Sequence, residues 1–392
     1  MTTKHSLWVI YLIYFLYNLH ISFGLYINSS FLGSGCGCGI PESWVGILFT
    51  AGSLLSIILT LSLRRLSKTL RSTKRVVLIS GIITIAALLG LIFFSNPWLI
   101  GITFVLYWGF TYLFLFTTDI FVEAYSSDGT TGSTRGVFLS IAGLAVMIAP
   151  FFAGRLSERP DGFLWVYGIG IALVSLAMLV TLTWGKRLKE PHFKKGSVIK
   201  GLKTFFQHKN LTGAFVGNFV LQFFYSWMIV YTPIYLIETI GLSWTQVGII
   251  FTVMLIPFVV FEIPLGRIAD RWLGEKEIFI SGILLMAIST ALLGFITSGS
   301  LLVWMAALFA TRVGASAAQV ASESHFFKHV DEKNVSAIGI FRQTGPVAFM
   351  FGPLVATLLL SLTNLPFSSL FIILGGILLL SLPFIIRMPD TK

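Results

Sequence analysis

Glu42-Ser43-Trp44-Val45-Gly46-Ile47-Leu48-Phe49-Thr50 returns about 200 residues later as Ser243-Trp244-Thr245-Gln246-Val247-Gly248-Ile249-Ile250-Phe251-Thr252. Each copy opens a long apolar run that ends in a basic turn. The turn leads to Ile79-Ser80-Gly81-Ile82 in the first half and Ile280-Ser281-Gly282-Ile283 in the second. Glu123 is echoed by Glu323, and Ala149-Pro150 by Gly352-Pro353, at nearly the same offset. A shared offset over four landmarks describes one structural unit used twice. Two copies of the same orientation are expected to be related by an axis along a membrane normal, with a cleft between them.

Working outward, twelve apolar runs separated by short polar breaks fill the chain, at 7–27, 43–63, 76–94, 98–122, 136–154, 163–184, 211–234, 246–266, 277–297, 301–322, 337–361 and 366–386. A crossing helix needs about 20 apolar residues. With 56% hydrophobic and 11% charged residues there is too little polar surface to cover a soluble domain of this size. Runs of this length without strict alternation are helices, since lipid offers the backbone no partners. The expectation is an all-α polytopic membrane protein with 12 transmembrane helices in two pseudo-symmetric six-helix bundles. Residues 1–184 form the N-terminal bundle, 185–210 a cytoplasmic linker and 211–392 the C-terminal bundle. The first run lacks a small-residue cleavage site and eleven more follow, so it is expected to stay as a helix.

Basic residues near helix ends stay on the cytoplasmic side. Lys4, the cluster 64–75, Arg135, the block 186–209, Arg267, Arg271, Lys276, Lys328, Lys333, Arg387 and Lys392 place 23 of the 27 basic residues on one face. Both termini are therefore expected in the cytoplasm, with the chain multi-pass in the cytoplasmic (inner) membrane. The charge of +11 is then a topology signal, and no nucleic-acid partner is expected. Lys200-Gly201-Leu202-Lys203-Thr204-Phe205-Phe206 in the linker is expected to lie on the anionic inner leaflet, in contact with membrane lipids.

Over essentially its whole length the chain resembles the major facilitator superfamily of transporters. The most specific match is Gly266-Arg267-Ile268-Ala269-Asp270-Arg271-Trp272-Leu273-Gly274-Glu275-Lys276, similar to the superfamily's signature loop in its second-half copy. There the tight turn is expected to need Gly266, and the resemblance implies a cytoplasmic latch built on Asp270 and Arg271. The first-half copy departs from that pattern: Arg65-Leu66-Ser67-Lys68-Thr69-Leu70 carries Lys68 near the position of Asp270, so its latch must be rebuilt or weak. Gly143 with Ala149-Pro150 loosely resembles an antiporter signature, and Arg312-Val313-Gly314-Ala315-Ser316-Ala317-Ala318 an arginine-plus-small-residue motif.

Ionisable residues inside spans are expensive and tend to face a cavity or a partner. Asp119 and Glu123, four apart on one helix face, favour holding a proton between them. Asp119 is the first proton-coupling candidate, while the resemblance makes Glu123 a gate residue pairing with Arg135 and gives Glu323 the same duty. Glu262, near Pro264 and Gly266, is expected to serve the latch. Arg312 stands near mid-span and needs an acid, a carbonyl dipole or an anionic solute. Arg342, followed by Gln343, Thr344 and Gly345-Pro346, stands where a helix kinks easily or where its side chain snorkels. His20 and Asn18 could bond a solute or relay a proton. Tyr14, Tyr225 and Trp227 are the aromatic pocket candidates. Each competes with a plain structural role.

Cys36 and Cys38, with a single residue between them in a glycine-rich turn, suit neither an unstrained disulfide nor a complete metal site. No cofactor or metal is expected. No phosphate-cradling loop occurs and no nucleophile sits with a base, so neither an ATPase nor another enzyme is expected. The leading expectation is a monomeric secondary transporter working by alternating access, coupled to protons and exporting a hydrophobic or amphipathic compound. The alternative is a proton-coupled uptake permease for a sugar, nucleoside or similar metabolite. A receptor or lipid-handling protein on the same scaffold is the reading from another class.

Overall fold

The computed structural model describes residues 3–35, 40–125, 131–184, 188, 190–191, 209–330 and 335–389, with the side chains of 123–125, 131–142, 270–271 and 335–338, among others, outside the description. Cys36 and Cys38 and most of the linker fall outside the described residues.

The described chain is helical throughout. The long helices are α1 (Thr3–Leu25), α2 (Glu42–Leu61), α3 (Thr73–Phe93), α4 (Pro97–Tyr125), α5 (Thr131–Ser157), α6 (Gly162–Trp184), α7 (Lys209–Ile234), α8 (Trp244–Val260), α9 (Glu275–Leu293), α10 (Leu301–His329), α11 (Val335–Leu362) and α12 (Ser369–Leu379). Short helical segments at Leu63–Thr69, Glu262–Ile268 and Leu382–Ile386 extend α2, α8 and α12. Among the described residues, 11 helical spans are long and apolar enough to cross a membrane. In α5 the described apolar part, Gly143–Ser157, is shorter than a full crossing. The chain is a multi-pass membrane protein.

Exposed apolar side chains such as Ile82, Ile102, Leu179, Ile288 and Leu302 cover the outward faces of the spans, where hydrocarbon replaces water as solvent. Buried hydroxyls recapture backbone carbonyls of their own helix, as Ser80 does from Val76 (2.7 Å) and Thr117 from Leu113 (2.6 Å). A donor left unmatched in lipid would cost more than this local bond.

The chain divides into two compact units, Met1–Phe193 and Lys194–Lys392. Within the first, α4 packs on α2 and α3, and α1 packs on α5 and α6. Within the second, α10 packs on α8 and α9, and α7 packs on α11 and α12. The same pairings recur, as expected if one unit was used twice.

The echoed glycines are used differently. Gly81 lies against the thioether of Met178 on α6. Gly282 lies backbone to backbone against α10, where an added Cβ would stand 2.9 Å from the carbonyl oxygen of Gly314 and 2.8 Å from the amide nitrogen of Ala318. The run of small residues after Arg312 is thus what lets α9 and α10 approach, in the manner of small-residue membrane interfaces.

The latch loop also needs a correction. Gly266 sits inside the helical segment Glu262–Ile268 with open space beside its Cα, the nearest atom to an added Cβ being Val320 Cγ1 at 3.8 Å. The turn glycine is Gly274, at φ 87°, a conformation that a Cβ disfavours. In the first unit the turn before α3 uses Arg71 at φ 58°.

Candidate functional site: a polar seam in the second unit

In the second unit, Asn218, Gln222 and Tyr225 fall at i, i+4 and i+7 on α7, which aligns them along one face. Asn218 donates from Nδ2 to Thr344 Oγ1 on α11 (2.8 Å), and the Tyr225 hydroxyl donates to Gln319 Oε1 on α10 (2.9 Å). The Gln222 amide oxygen lies beside Gly345 on α11. Polar groups from three helices therefore meet along α7, in an otherwise apolar bundle.

Arg312 stands at this seam. It is 1% exposed, and its guanidinium lies over the ring of Phe224 at 4.8 Å and of Tyr225 at 5.9 Å. Its Nη1 is buried and has no hydrogen-bond partner among the described residues. A charged arginine in mid-span is disfavoured by about 3 kcal/mol or more, and cation–π contact offsets about 2 kcal/mol of that when desolvated. The seam thus holds a positive charge that its own surroundings answer only in part.

A second cluster stands nearer the end of α10. A cavity of about 350 Å3 is lined by Glu262, Ile263, Val320, Glu323, Ser324 and Phe327, which brings two of the expected gate and latch acids together. Next to it, fully buried Glu275 accepts from Ser324 Oγ (3.3 Å) and pairs with Lys328. Glu275 opens α9 immediately after the Gly274 turn, where a carboxylate also answers the unpaired amides of a helix start. Asp270 and Arg271 lie outside the described side chains. The latch contact that can be described rests on Glu275.

The first unit holds a neutral cluster. His20 is 2% exposed and meets the rings of Tyr17 and Tyr107 edge-on, at 5.1 and 5.6 Å. Tyr17 stacks on Phe114 at 3.6 Å and bonds Thr84 through its hydroxyl (3.0 Å), while Tyr167 donates to Asn28 Oδ1 (3.1 Å). Asn18 bonds the Tyr14 carbonyl of its own helix (2.9 Å), and His20 turns to the tyrosines. Tyr14 and Asp119 are half-buried. The side chains of Glu123 and Arg135 lie outside the description, so the expected Asp119–Glu123 and Glu123–Arg135 pairs do too.

Of the remaining candidates, Tyr225 belongs to the seam, and Trp227 is sealed between Phe223 and Tyr231 at 5.5 and 6.1 Å. Arg342 and Gln343 are half-buried on α11, which runs unbroken past Pro346 and Pro353. Sequence reasoning missed Asn218, Gln222, Gln319, Thr344 and Glu275. The signal for the first two was present, since two amides and Tyr225 at helical spacing stand out in an apolar span.

At the cytoplasm-expected turn before α3, Glu190 receives Ser72 Oγ (2.6 Å) and the Thr73 amide (2.8 Å), with Lys74 Nζ at 4.0 Å. Partial burial pushes its carboxyl up, but the bonds from Ser72 and Thr73 and the charge of Lys74 outweigh that and hold it below the usual carboxylate range. The first half, which lacks the acid at Lys68, thus receives one from beyond α6.

Two units with the same helix pairings, an apolar exterior, and polar and charged side chains buried in the spans describe a polytopic membrane fold. Residues 214–392 match the family model described as Major Facilitator Superfamily. The match lies within the second unit of the chain. Among solved structures, a variant of the nucleoside transporter NupG superposes with a TM-score of 0.77 at 14% identity, covering 98% of this chain and 99% of that one. A second NupG structure gives 0.74 at 16% identity over 100% of both chains. A POT family transporter in complex with 5-aminolevulinic acid gives 0.76 at 13% identity, over 97% of this chain and 95% of that one. These likenesses concern the fold. No curated protein matches the sequence.

Proposed function

We propose that this protein is a proton-coupled uptake permease for a small polar metabolite, of nucleoside, sugar or amino-acid-like chemistry, working by alternating access. The observation that carries this reading is the seam of Asn218, Gln222, Tyr225, Gln319 and Thr344. Its amides and hydroxyls are suited to hydrogen-bonding a polar solute and offer little to a lipophilic one. Support also comes from the nearly full-length likeness to a nucleoside transporter and to a transporter holding an amino acid. Export of a hydrophobic compound, the leading expectation from composition, has less behind it. Aromatic side chains that could receive such a compound are spent on helix packing, as with Tyr17 on Phe114 and Trp227 between its neighbours.

In this reading the twelve spans form two pseudo-symmetric bundles, 1–184 and 211–392, with both termini in the cytoplasm of a cell bounded by this inner membrane. The protein acts as a monomer. Asp119 carries the coupling proton, and His20 and Asn18 are the further polar candidates of the first unit. Arg312, Arg342, Gln343 and Tyr225 contact solute, while Glu123, Arg135, Glu262, Asp270, Arg271, Glu323 and the Glu275–Lys328 pair open and close the inner side. An acid that must be neutral in one state and charged in the other supplies the coupling, because an ionised carboxylate crosses a low-dielectric path poorly.

The test is uptake of radiolabelled nucleosides, sugars and amino acids into proteoliposomes with an imposed inward proton gradient. Accumulation above equilibrium that collapses with a protonophore, and that Asp119→Asn reduces to equilibration, is the expected result. Accumulation indifferent to the gradient would remove proton coupling. Binding of lipophilic cations with no polar solute taken up would return the export reading.

A further inference from the structure

We infer that Arg312 is an anion-reading group, so that the solute carries a carboxylate or phosphate which this side chain receives. The inference rests on the uptake reading above for its setting, and names the class of solute within it.

Three observations converge on it. Arg312 is fully buried, and the nitrogen Nη1 within that burial has no hydrogen-bond partner among the described residues. No described carboxylate lies within ion-pair distance: the acids of the second unit are placed elsewhere, Glu275 against Lys328 and Glu262 with Glu323 around their own cavity. The guanidinium is instead held flat over Phe224, with Tyr225 beyond. Ring contact fixes the plane of a guanidinium while leaving its edge donors unspent, and those edge donors match the two oxygens of a carboxylate or phosphate.

A purely structural arginine would be expected to spend its donors on carbonyls or a carboxylate, because removing an ion from water without answering it is among the largest penalties in a span. Arg312 does not. Its neighbours also suit the rest of a polar anion. Tyr225 bridges the ring contact and the bond to Gln319, so a solute oxygen on Arg312 lies within reach of a hydroxyl and an amide that already form one network. Co-transport of a monocarboxylate with one proton then moves a neutral pair, and of a phosphate monoester a less negative one, which lowers the cost of carrying net negative charge through the spans.

The experiment uses the purified full-length protein in detergent and reads thermal stabilisation with matched solutes that differ only in the anion: uracil against orotate, uridine against uridine 5′-monophosphate, and lactamide against lactate. The first and third pairs test carboxylate, the second phosphate. In the wild type the anionic member of at least one pair is expected to bind about tenfold or more tighter than its uncharged partner. Arg312→Gln is expected to abolish that preference, and Arg312→Lys to keep part of it. Uncharged members that bind as well as the anions, a preference that survives in Arg312→Gln, or no anionic binder at millimolar concentration would each overturn the inference. The wild-type comparison decides even if Arg312→Gln fails to fold. Proton-driven uptake of an uncharged nucleoside would overturn this inference and leave the uptake reading standing. Anion binding through Arg312 with no flux into proteoliposomes would do the reverse.

Discussion

The two units pair their helices alike yet fill their interiors with different chemistry. In the first, the buried polar groups among the described residues include Tyr17, His20, Tyr107, Tyr167 and Asn28, joined by hydroxyl and ring contacts. In the second, the buried groups include charge. Among the described residues Arg312 and Glu275 are the fully buried side chains that carry a formal charge, and both belong to that unit. Identical packing rules therefore do not oblige identical chemistry. Helix pairing follows from apolar faces and small residues, whereas a buried charge survives only where a partner or a task answers it.

The glycine echo gives the largest test of that difference. Gly282→Ala would place a Cβ 2.8 Å from the Ala318 amide nitrogen and 2.9 Å from the Gly314 carbonyl oxygen, so two helix backbones must separate. A loss of about 3 kcal/mol is expected, at the upper end for an overpacked site. Gly81→Ala meets only the flexible Met178 side chain, which can swing away, and should cost about 1 kcal/mol. Melting curves of the two variants in detergent check this. Equal drops would mean that the echoed motifs do the same job after all.

Next in size is the buried pair at the start of α9. The two partners differ in exposure, Glu275 at 1% and Lys328 at 46% of the side chain. Lys328→Met removes the counter-charge from a sealed carboxylate that also accepts from Ser324, for an expected cost of about 2 kcal/mol. Glu275→Gln leaves a lysine that can turn to solvent, for about 1 kcal/mol. The ordering is the sharp part of the prediction, and chemical unfolding of the two variants reads it. The reverse order would mean that the lysine, not the acid, is the group held by its surroundings.

How much of this was readable beforehand follows from what each feature depends on. Among the described residues, 11 of the twelve expected spans were legible because hydrophobicity over about 20 positions is a strong, local signal. Span ten was drawn short, at 301–322, since Glu323, Ser324 and His325 look like an exit from the membrane, while α10 continues to His329. Its extra turns are held by burial of His325 and Phe326 and by the Lys328–Glu275 contact, none of which is local in sequence. Gly266 was read as the turn residue by resemblance, although only backbone geometry tells it from Gly274. Arg312 stood out alone because a charge in an apolar run is conspicuous. Asn218 and Thr344 did not, because their meaning lies in a contact across 126 residues.

The smallest effect falls on the first unit's substitute for its missing acid. Glu190 reaches back 117 residues to accept the Thr73 amide, and it is 40% exposed at the side chain, so solvent screens most of its interaction. Glu190→Gln should therefore cost less than about 1 kcal/mol at neutral pH. The sign of its pH dependence follows from the direction of the shift. The folded state holds this carboxyl below its ordinary range, so its contribution is fully present above the unfolded value, near 4.3, and is lost as pH falls through the lower folded value. The melting temperatures of wild type and Glu190→Gln should run parallel from about pH 7 to 5.5 and converge below about pH 4. Added salt should narrow the gap at neutral pH without closing it, because screening weakens the Lys74 contact more than the bonds from Ser72 and Thr73. A gap that widened on acidification would show that the carboxyl is protonated when bound. In that case the first unit would have a hydrogen-bonded neutral acid where the second has a buried charge, and the contrast between the two halves would extend to their latches as well as their cores.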